Sequence, residues 1–518
     1  MPVVIYDNLF PFQKKIVDDL KSKSSYGLFL DMGLGKTITA LALAEANECT
    51  KIIVVTLKDK AIESETKDGS WLYWATKYKL PLDRYNIKTI KNIDYNTENG
   101  QIIVVNYQAL FTSRTEQYIH SKPKKVIKIK DSFMEFLHNC GGDNVALIID
   151  ESHMIKNNSS ARSKCIKMLN DYCKLYAKKS VLYLLSGTPF SVGFIDMHNQ
   201  LTMLGCKMTK TAFKDKFCIM GNIKSLKEWE QPIIGYKNED EFYDLVHQYG
   251  ITIMSDEVVD LPEQIFINHT LPKSIDFTML MSEQLPGTMI KKYLIDKNID
   301  VEDMSIYETK SKVNNPFYRN LDYPDFNYLC QTAAGVYLRA RQISIGFQGN
   351  AEEAIWYNKE RLNQLRTLLE NNEDNYVLFY NYTPELFELY SLCEELGYNI
   401  DVMCGQVKST FFYDKFANQS REERLNNKKN IILMNFDSGS AGGNYQLWNH
   451  CIIFSTPVYK NWAQSLKRVH RIGSKEPVFY HIFYQENWVE RRMKESLERG
   501  SEYTNEMFRM DLSKYKGD

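Results

Sequence analysis

No apolar run in this 518-residue chain approaches the roughly 18 residues that span a bilayer, which argues against a membrane-spanning protein. The opening residues, MPVVIYDNLFPFQKK, lack the charged-then-apolar order of a secretory signal. The ten cysteines stand singly, with no CxxC pair and no Cys/His cluster at zinc spacing. Neither a structural zinc nor a disulfide framework is expected, only free thiols in a reducing compartment. Excess charge of either sign is also missing: the formal net charge is −1 and the isoelectric point about 6.8. Any polyanion must therefore be held by local patches rather than by the field of the whole chain. Repeats, low-complexity tracts and Pro/Gly/Ser-rich linkers are absent too. An intracellular, soluble protein is the expectation.

What the chain does contain is a series of short apolar runs, each followed by small or polar residues. The first part has YGLFLD (26–31), KIIVVT (51–56), IIVVNY (102–107), ALIIDE (146–151) and LYLLSGT (182–188). The later part has YVLFYN (376–381), IDVMCG (400–405), IILMNF (431–436), CIIFST (451–456) and VFYHIF (478–483). Runs apolar on both faces and separated by helical stretches predict buried parallel sheets covered by helices. The stretch 255–350 lacks such runs, is rich in Tyr, Asn, Lys and Met, and reads as a mostly helical insertion. The expected architecture is α/β, with one lobe over 1–254, the insertion over 255–350 and a second lobe over 351–518. Ligands of open parallel sheets gather beyond the carboxyl ends of the strands, so the residues after each run are where chemistry is sought.

After the first run comes DMGLGKT (31–37). The strict phosphate-loop pattern fails, because Leu30 stands where its first glycine belongs. Gly33 and Gly35 still allow the backbone to curl into a nest of N–H groups at a helix start, where anions are favoured. Lys36 would then reach the β- and γ-phosphates and the Thr37 hydroxyl a Mg²⁺ ion. An ordinary glycine-rich turn is the alternative. A later run ends in Asp150-Glu151, whose side chains diverge and so suit two tasks. Asp150 would hold the Mg²⁺ hydration shell and Glu151 would orient and deprotonate the attacking water; a solvated helix cap is the blander reading. Ser186 and Thr188 could hydrogen-bond beside the phosphates. No Asn-Lys-x-Asp guanine-reading motif is present, which favours ATP over GTP, and the Gln13 amide could read adenine. In NWAQSLKRVHRIGS (461–474), Gln464, Arg468 and Arg471 fall at i, i+4 and i+7, one face of a helix. Two such arginines suit a forked grip on a γ-phosphate, although a solvated basic face has the same spacing. SGSAGGNYQ (438–446) permits close backbone approach to a ligand. The lysines of SKPKKVIKIK (121–130) suit sequence-independent phosphate contacts or guard an edge strand.

Together these segments resemble helicase superfamily two, and within it the Swi/Snf-type DNA-translocating ATPases. The resemblance is carried by FPFQ, DMGLGKT, VVNYQAL, IIDESHMIKN, LLSGTPF, VLFYNYTPELFELY, SAGGNYQ and QSLKRVHRIGSKEPV, in the family's order. It implies two RecA-like lobes that close on ATP and Mg²⁺, with duplex DNA running across both. By position, it implies Gln13 at adenine and Asp31, Met32, Gly33, Leu34, Gly35, Lys36 and Thr37 at the phosphates. Thr37 and Asp150 would serve the metal, Glu151 the water, and Arg468 and Arg471 the transition state. His153, Ser186, Thr188 and Gln464 would couple hydrolysis to movement, and Tyr107, Lys124 and Lys125 would meet DNA. The chain departs from the family at Ser152, Lys467, Ser474, the GTPFSVG continuation and the missing proline in VVTLKDKAIES. Its compactness is similar to phage and mobile-element forms, which would be cytoplasmic in bacteria. The function implied is a DNA-stimulated ATPase translocating on duplex DNA. A strand-separating helicase, or an ATP-clamped loader acting with replication or recombination proteins, are the alternatives.

Overall fold

In the computed structural model, residues 5–57, 71–78, 83–86, 101–116, 124–187, 189, 193–221, 231, 233–272, 333–349, 354–356, 358–405, 420, 423, 426–439, 445–471, 473–500, 502–504, 507–508 and 511 are described. They form two units, Met1–Leu261 and Pro262–Asp518. Both are parallel sheets flanked by helices, the layout of RecA-like lobes.

The first sheet has seven strands in the order Gly250–Ile253, Ser25–Leu30, Lys179–Leu185, Asn144–Asp150, Lys51–Thr56, Gln101–Asn106 and Asp83–Asn86, all parallel. The apolar runs form its centre because each strand is covered on both faces. Ile53, Val55, Ile103, Val105, Leu147, Ile149 and Leu184 pack with Phe133, Phe136, Leu169, Phe213 and Phe242. Each such buried side chain contributes roughly 1.5–3 kcal/mol. The Lys36–Ala46 helix (KTITALALAEA) is buried from Ile38 to Ala44, and its small alanines let it lie close among its neighbours. Register sets the strand ends level: Asp150 pairs with Leu185, and Leu185 with Leu28. Outside this sheet, Phe111–Glu116 and Lys124–Ile129 pair as an antiparallel hairpin.

The second sheet has six parallel strands: Gln264–Leu271, Val478–Gln485, His450–Ile453, Tyr376–Tyr380, Asn430–Asn435 and Asn399–Met403. Leu378, Leu433, Ile452 and Phe483 face one core, and Val377, Phe379, Ile432 and Ile453 the other. Over two strand ends sits Arg361, only 2% exposed. It donates to the carbonyls of Phe454 (2.8 Å), Phe483 (2.9 Å) and Ser344 (3.1 Å), and pairs with Glu490 at 2.8 Å.

Of the span expected as a helical insertion, 273–332 lies outside the described residues. Its described ends are built into the two units. Ser255–Val258 is a short helix of the first, and Gln264–Leu271 is a strand pairing along its whole length with Val478–Gln485. That strand escapes a search for continuous apolar runs because it alternates: Phe266, Asn268 and Thr270 are exposed while the intervening residues are at least half-buried, as suits a sheet edge. The helix Ala333–Ile345 packs Tyr337, Ala340 and Ile343 against Val489, Met493 and Phe508. Among the described residues no helix is long and apolar enough to cross a membrane.

Candidate active site

The strand Ser25–Leu30 brings the chain to the carboxyl edge of the first sheet, where the backbone turns through Gly33 at φ 88° and Gly35 at φ 72°. Side-chain-bearing residues avoid these left-handed values. Space demands glycine at position 35 as well, since a Cβ there would lie 2.4 Å from Gln13 Nε2. The Lys36–Ala46 helix begins at once, so its unpaired N–H groups and positive dipole end open at the turn and favour an anion. Lys36 Nζ donates to the carbonyls of Leu30 (2.9 Å) and Asp31 (3.1 Å), which folds the ammonium back over the loop. Thr37 follows, half-buried, in the first turn.

Two residues expected at the nucleotide also brace this loop. Asp31 Oδ1 accepts from the Met32 N–H at 2.8 Å, and its Oδ2 accepts from the Ser255 N–H (3.2 Å) and hydroxyl (2.5 Å). Gln13, 2% exposed, donates to the Leu34 carbonyl and accepts from the Phe10 N–H, each at 2.9 Å. It thereby ties the Pro11–Leu20 helix to the loop. Met32 and Leu34 are buried.

Two strands along, Asp150 and Glu151 stand at the same edge. Asp150 Oδ2 accepts from the Thr56 hydroxyl (2.8 Å) and from Trp71 Nε1 (3.4 Å), while Oδ1 accepts from the Glu151 N–H (3.0 Å). Glu151 has φ 54° and ψ 51°, which swings its carboxylate away from that of its neighbour. His153 Nδ1 lies 3.4 Å from Glu151 Oε2 and 3.3 Å from Ser186 Oγ, between the acid and the adjacent strand end. Ser152 buries a hydroxyl that donates to Gln200 Oε1 at 2.7 Å. Gln200 Nε2 in turn donates to the Pro189 carbonyl at 2.6 Å. Gly187 completes the convergence: a Cβ there would lie 3.3 Å from Lys36 Nζ and 3.0 Å from Met32 Cγ. Lysine loop, carboxylate pair and serine turn thus meet at neighbouring strand ends. Thr188 lies outside the described residues.

Oxygen donors of the Thr37 and Asp150 kind are those magnesium takes. Among the described residues no group of three or more His, Cys, Asp or Glu side chains could hold a metal by itself. That donor set fits an ion completed by substrate phosphates and water.

Tyr107 corrects an expectation. It is 1% exposed, so it is no surface contact for DNA. Its hydroxyl donates to the Asp150 carbonyl at 2.7 Å, and the Arg162 guanidinium lies 5.2 Å from its ring centre. Burial, reinforced by the charges of Asp150 and Glu151, holds this phenol well above its ordinary range, so it stays a donor. Lys124 and Lys125 lie on the hairpin, opposite Glu116 and Thr115.

In the second unit, Gln464 and Arg468 lie on the helix Tyr459–Val469, the first buried and the second half-buried. Arg471 does not share their helix, contrary to the spacing argument. The helix stops at Val469, with His470 extended at φ −92° and ψ 99°. Ser474 Oγ donates to the Val469 carbonyl at 2.9 Å and accepts from the Arg471 N–H at 3.2 Å, fixing a turn instead. Of SGSAGGNYQ, residues 440–444 lie outside the described residues.

Sequence reasoning missed Thr56, Trp71, Ser255 and Gln200. Thr56 closes the run KIIVVT, so attention to every strand end would have found it; the other three follow no local pattern.

Residues 7–191 match the family model described as "Type III restriction enzyme, res subunit". Over 227 residues, 39% of this chain, the sequence is 26% identical to a Transcriptional regulator ATRX homolog of Caenorhabditis elegans, covering 16% of it. Over 357 residues, 67% of this chain, it is 22% identical to the ISWI chromatin-remodeling complex ATPase ISW2 of Saccharomyces cerevisiae, covering 28% of that protein. The chain thus spans less than a third of either curated relative's length. A solved structure, the Sulfolobus solfataricus SWI2/SNF2 ATPase core in complex with dsDNA, aligns with 100% of this chain and 95% of its own at 18% identity and a TM-score of 0.37.

Proposed function

We propose that this chain is a Swi/Snf-type ATPase of helicase superfamily two, a DNA-stimulated ATP hydrolase that translocates on duplex DNA without reading its sequence; the family model over residues 7–191 and the similarity to remodelling ATPases support that reading. The observation that carries this reading is the meeting of Lys36, Asp150-Glu151 and the Ser186-Gly187 turn at adjacent strand ends. Lys36 and the N–H groups of the loop bind the β- and γ-phosphates, and the pull strengthens as charge builds on the leaving oxygen. Thr37 and Asp150 would hold Mg²⁺, which would supply positive charge to neutralise the phosphates. Glu151 takes a proton from water as the water oxygen bonds to the γ-phosphorus and the bond to the ADP oxygen breaks. His153 links Glu151 to Ser186 and so to the turn that continues toward Gln200. The relatives' names, a chromatin-remodeling ATPase among them, support work on DNA-bound substrates. Steady-state ATP hydrolysis measured with end-free duplex DNA, single-stranded DNA and RNA in parallel tests the reading. Stimulation by the closed duplex supports translocation. Preference for single strands would make this a strand-separating helicase, and no stimulation by any of them would reject a nucleic-acid motor.

A further inference from the structure

Tyr107 lies one residue beyond the strand Gln101–Asn106 and reaches across to the acid pair. Its hydroxyl is 2.7 Å from the Asp150 carbonyl and 3.4 Å from that of Glu151. These two carbonyls bracket Glu151, which is held in the left-handed region at φ 54° although, unlike Gly33 and Gly35, it carries a side chain. A residue with a side chain keeps that conformation only where its surroundings over-determine it. The same tyrosine is anchored on its other sides: its N–H donates to the Thr56 carbonyl at 3.3 Å, and Arg162 lies over its ring. Three residues onward, the Leu110 carbonyl accepts from the Lys130 N–H at 3.0 Å. That bond closes the root of the Phe111–Glu116/Lys124–Ile129 hairpin, whose second strand belongs to the lysine-rich segment. A short hydrogen-bonded segment therefore joins the hairpin to the backbone that aims Glu151.

We infer that Tyr107 is a positioning residue for Glu151, and that duplex DNA held at the hairpin lysines acts through its hydroxyl to set the hydrolytic carboxylate. The inference rests on the ATPase reading above. Bound phosphates fix the hairpin, the hairpin root fixes Tyr107, and the hydroxyl fixes the Asp150-Glu151 peptide. An ångström of misplacement at a reacting group can cost on the order of 100-fold in rate.

The test uses the full chain as wild type, Tyr107→Phe and Tyr107→Leu. It measures kcat and KM for ATP with and without end-free duplex DNA, together with the thermal midpoint. Tyr107→Phe keeps the ring in its slot and removes only the hydroxyl. The expected result is a DNA-stimulated kcat lower by about 10- to 100-fold, a stimulation ratio near one, and a KM within about two-fold of wild type. The midpoint of Tyr107→Phe should stay close to wild type. A phenylalanine variant that keeps the full stimulation ratio while the leucine variant fails would assign the residue to packing and overturn the inference. A rate loss that merely follows a fallen midpoint would overturn it as well. A wild-type chain without ATP turnover would remove the ATPase reading together with the inference, an outcome distinct from the failure of Tyr107 alone.

Discussion

Asp150 and Glu151 are neighbours in the chain and suit different work because the backbone reverses between them. Asp150 ends a buried strand, with its carboxylate held by Thr56 and Trp71; Glu151 turns out of the strand toward His153. Burying such groups is tolerable only when each finds partners. Ser152 shows the same rule. Its hydroxyl is buried and pairs with Gln200, which holds the Pro189 carbonyl of the adjacent turn. Ser152→Ala leaves the Gln200 oxygen without that donor and should lower stability by about 1–3 kcal/mol in chemical denaturation. An unchanged denaturation midpoint would show that Gln200 holds the turn without help. Lys36, Asp150 and Glu151 were legible as candidates in the sequence because each stands at, or shortly after, the carboxyl end of a strand. Their supports were not, since Thr56 and Trp71 stand 94 and 79 residues from Asp150, and Ser255 stands 224 from Asp31.

At the scale of elements, the apolar runs foretold the central strands but not their neighbours. The edge strand Gln264–Leu271 escaped because it alternates, and Arg471 left its predicted helix because Ser474 caps that end. Strand order depends on which crossovers bury the most surface, and no local pattern records it. One consequence of the order is a row of histidines across three adjacent strands of the second sheet. His269 Nε2 lies 3.1 Å from His481 Nδ1, and the His450 ring centre lies 5.8 Å from that of His481. Burial, with the neighbouring His450 and His269, pushes His481 from 6.5 down to about 4; burial also lowers His269 and His450. Between pH 6.5 and 4 the unfolded chain therefore binds a proton that the folded sheet refuses, so this residue's share of stability is lost as pH falls. Glu385 acts in the opposite sense. Burial raises it from 4.5 to about 7, so its share is lost as pH rises through that window. The two effects are separable by substitution. His481→Phe should flatten the acid-side fall of the thermal midpoint relative to wild type, and an unaltered slope would mean that His481 protonates as readily folded as unfolded.

Across the whole molecule, charge is nearly balanced, so the proposed affinity for DNA would have to come from local lysines such as those of the 121–130 segment. Such binding releases counterions and should weaken steeply and linearly on logarithmic axes as salt rises, with little dependence on sequence. A fluorescence-anisotropy titration at several salt concentrations checks this, and a flat salt response or a sequence-specific footprint would count against it. In the proposed mechanism the first sheet carries the chemistry: the lysine loop would grip the triphosphate and Glu151 would activate the water. Glu151→Gln tests it most directly, by nucleotide binding and single-turnover hydrolysis on the same preparation. The expected result is an ATP Kd within about two-fold of wild type and hydrolysis slower by at least about 100-fold, as for loss of a general base. Hydrolysis at the wild-type rate, or loss of binding in place of loss of turnover, would contradict it.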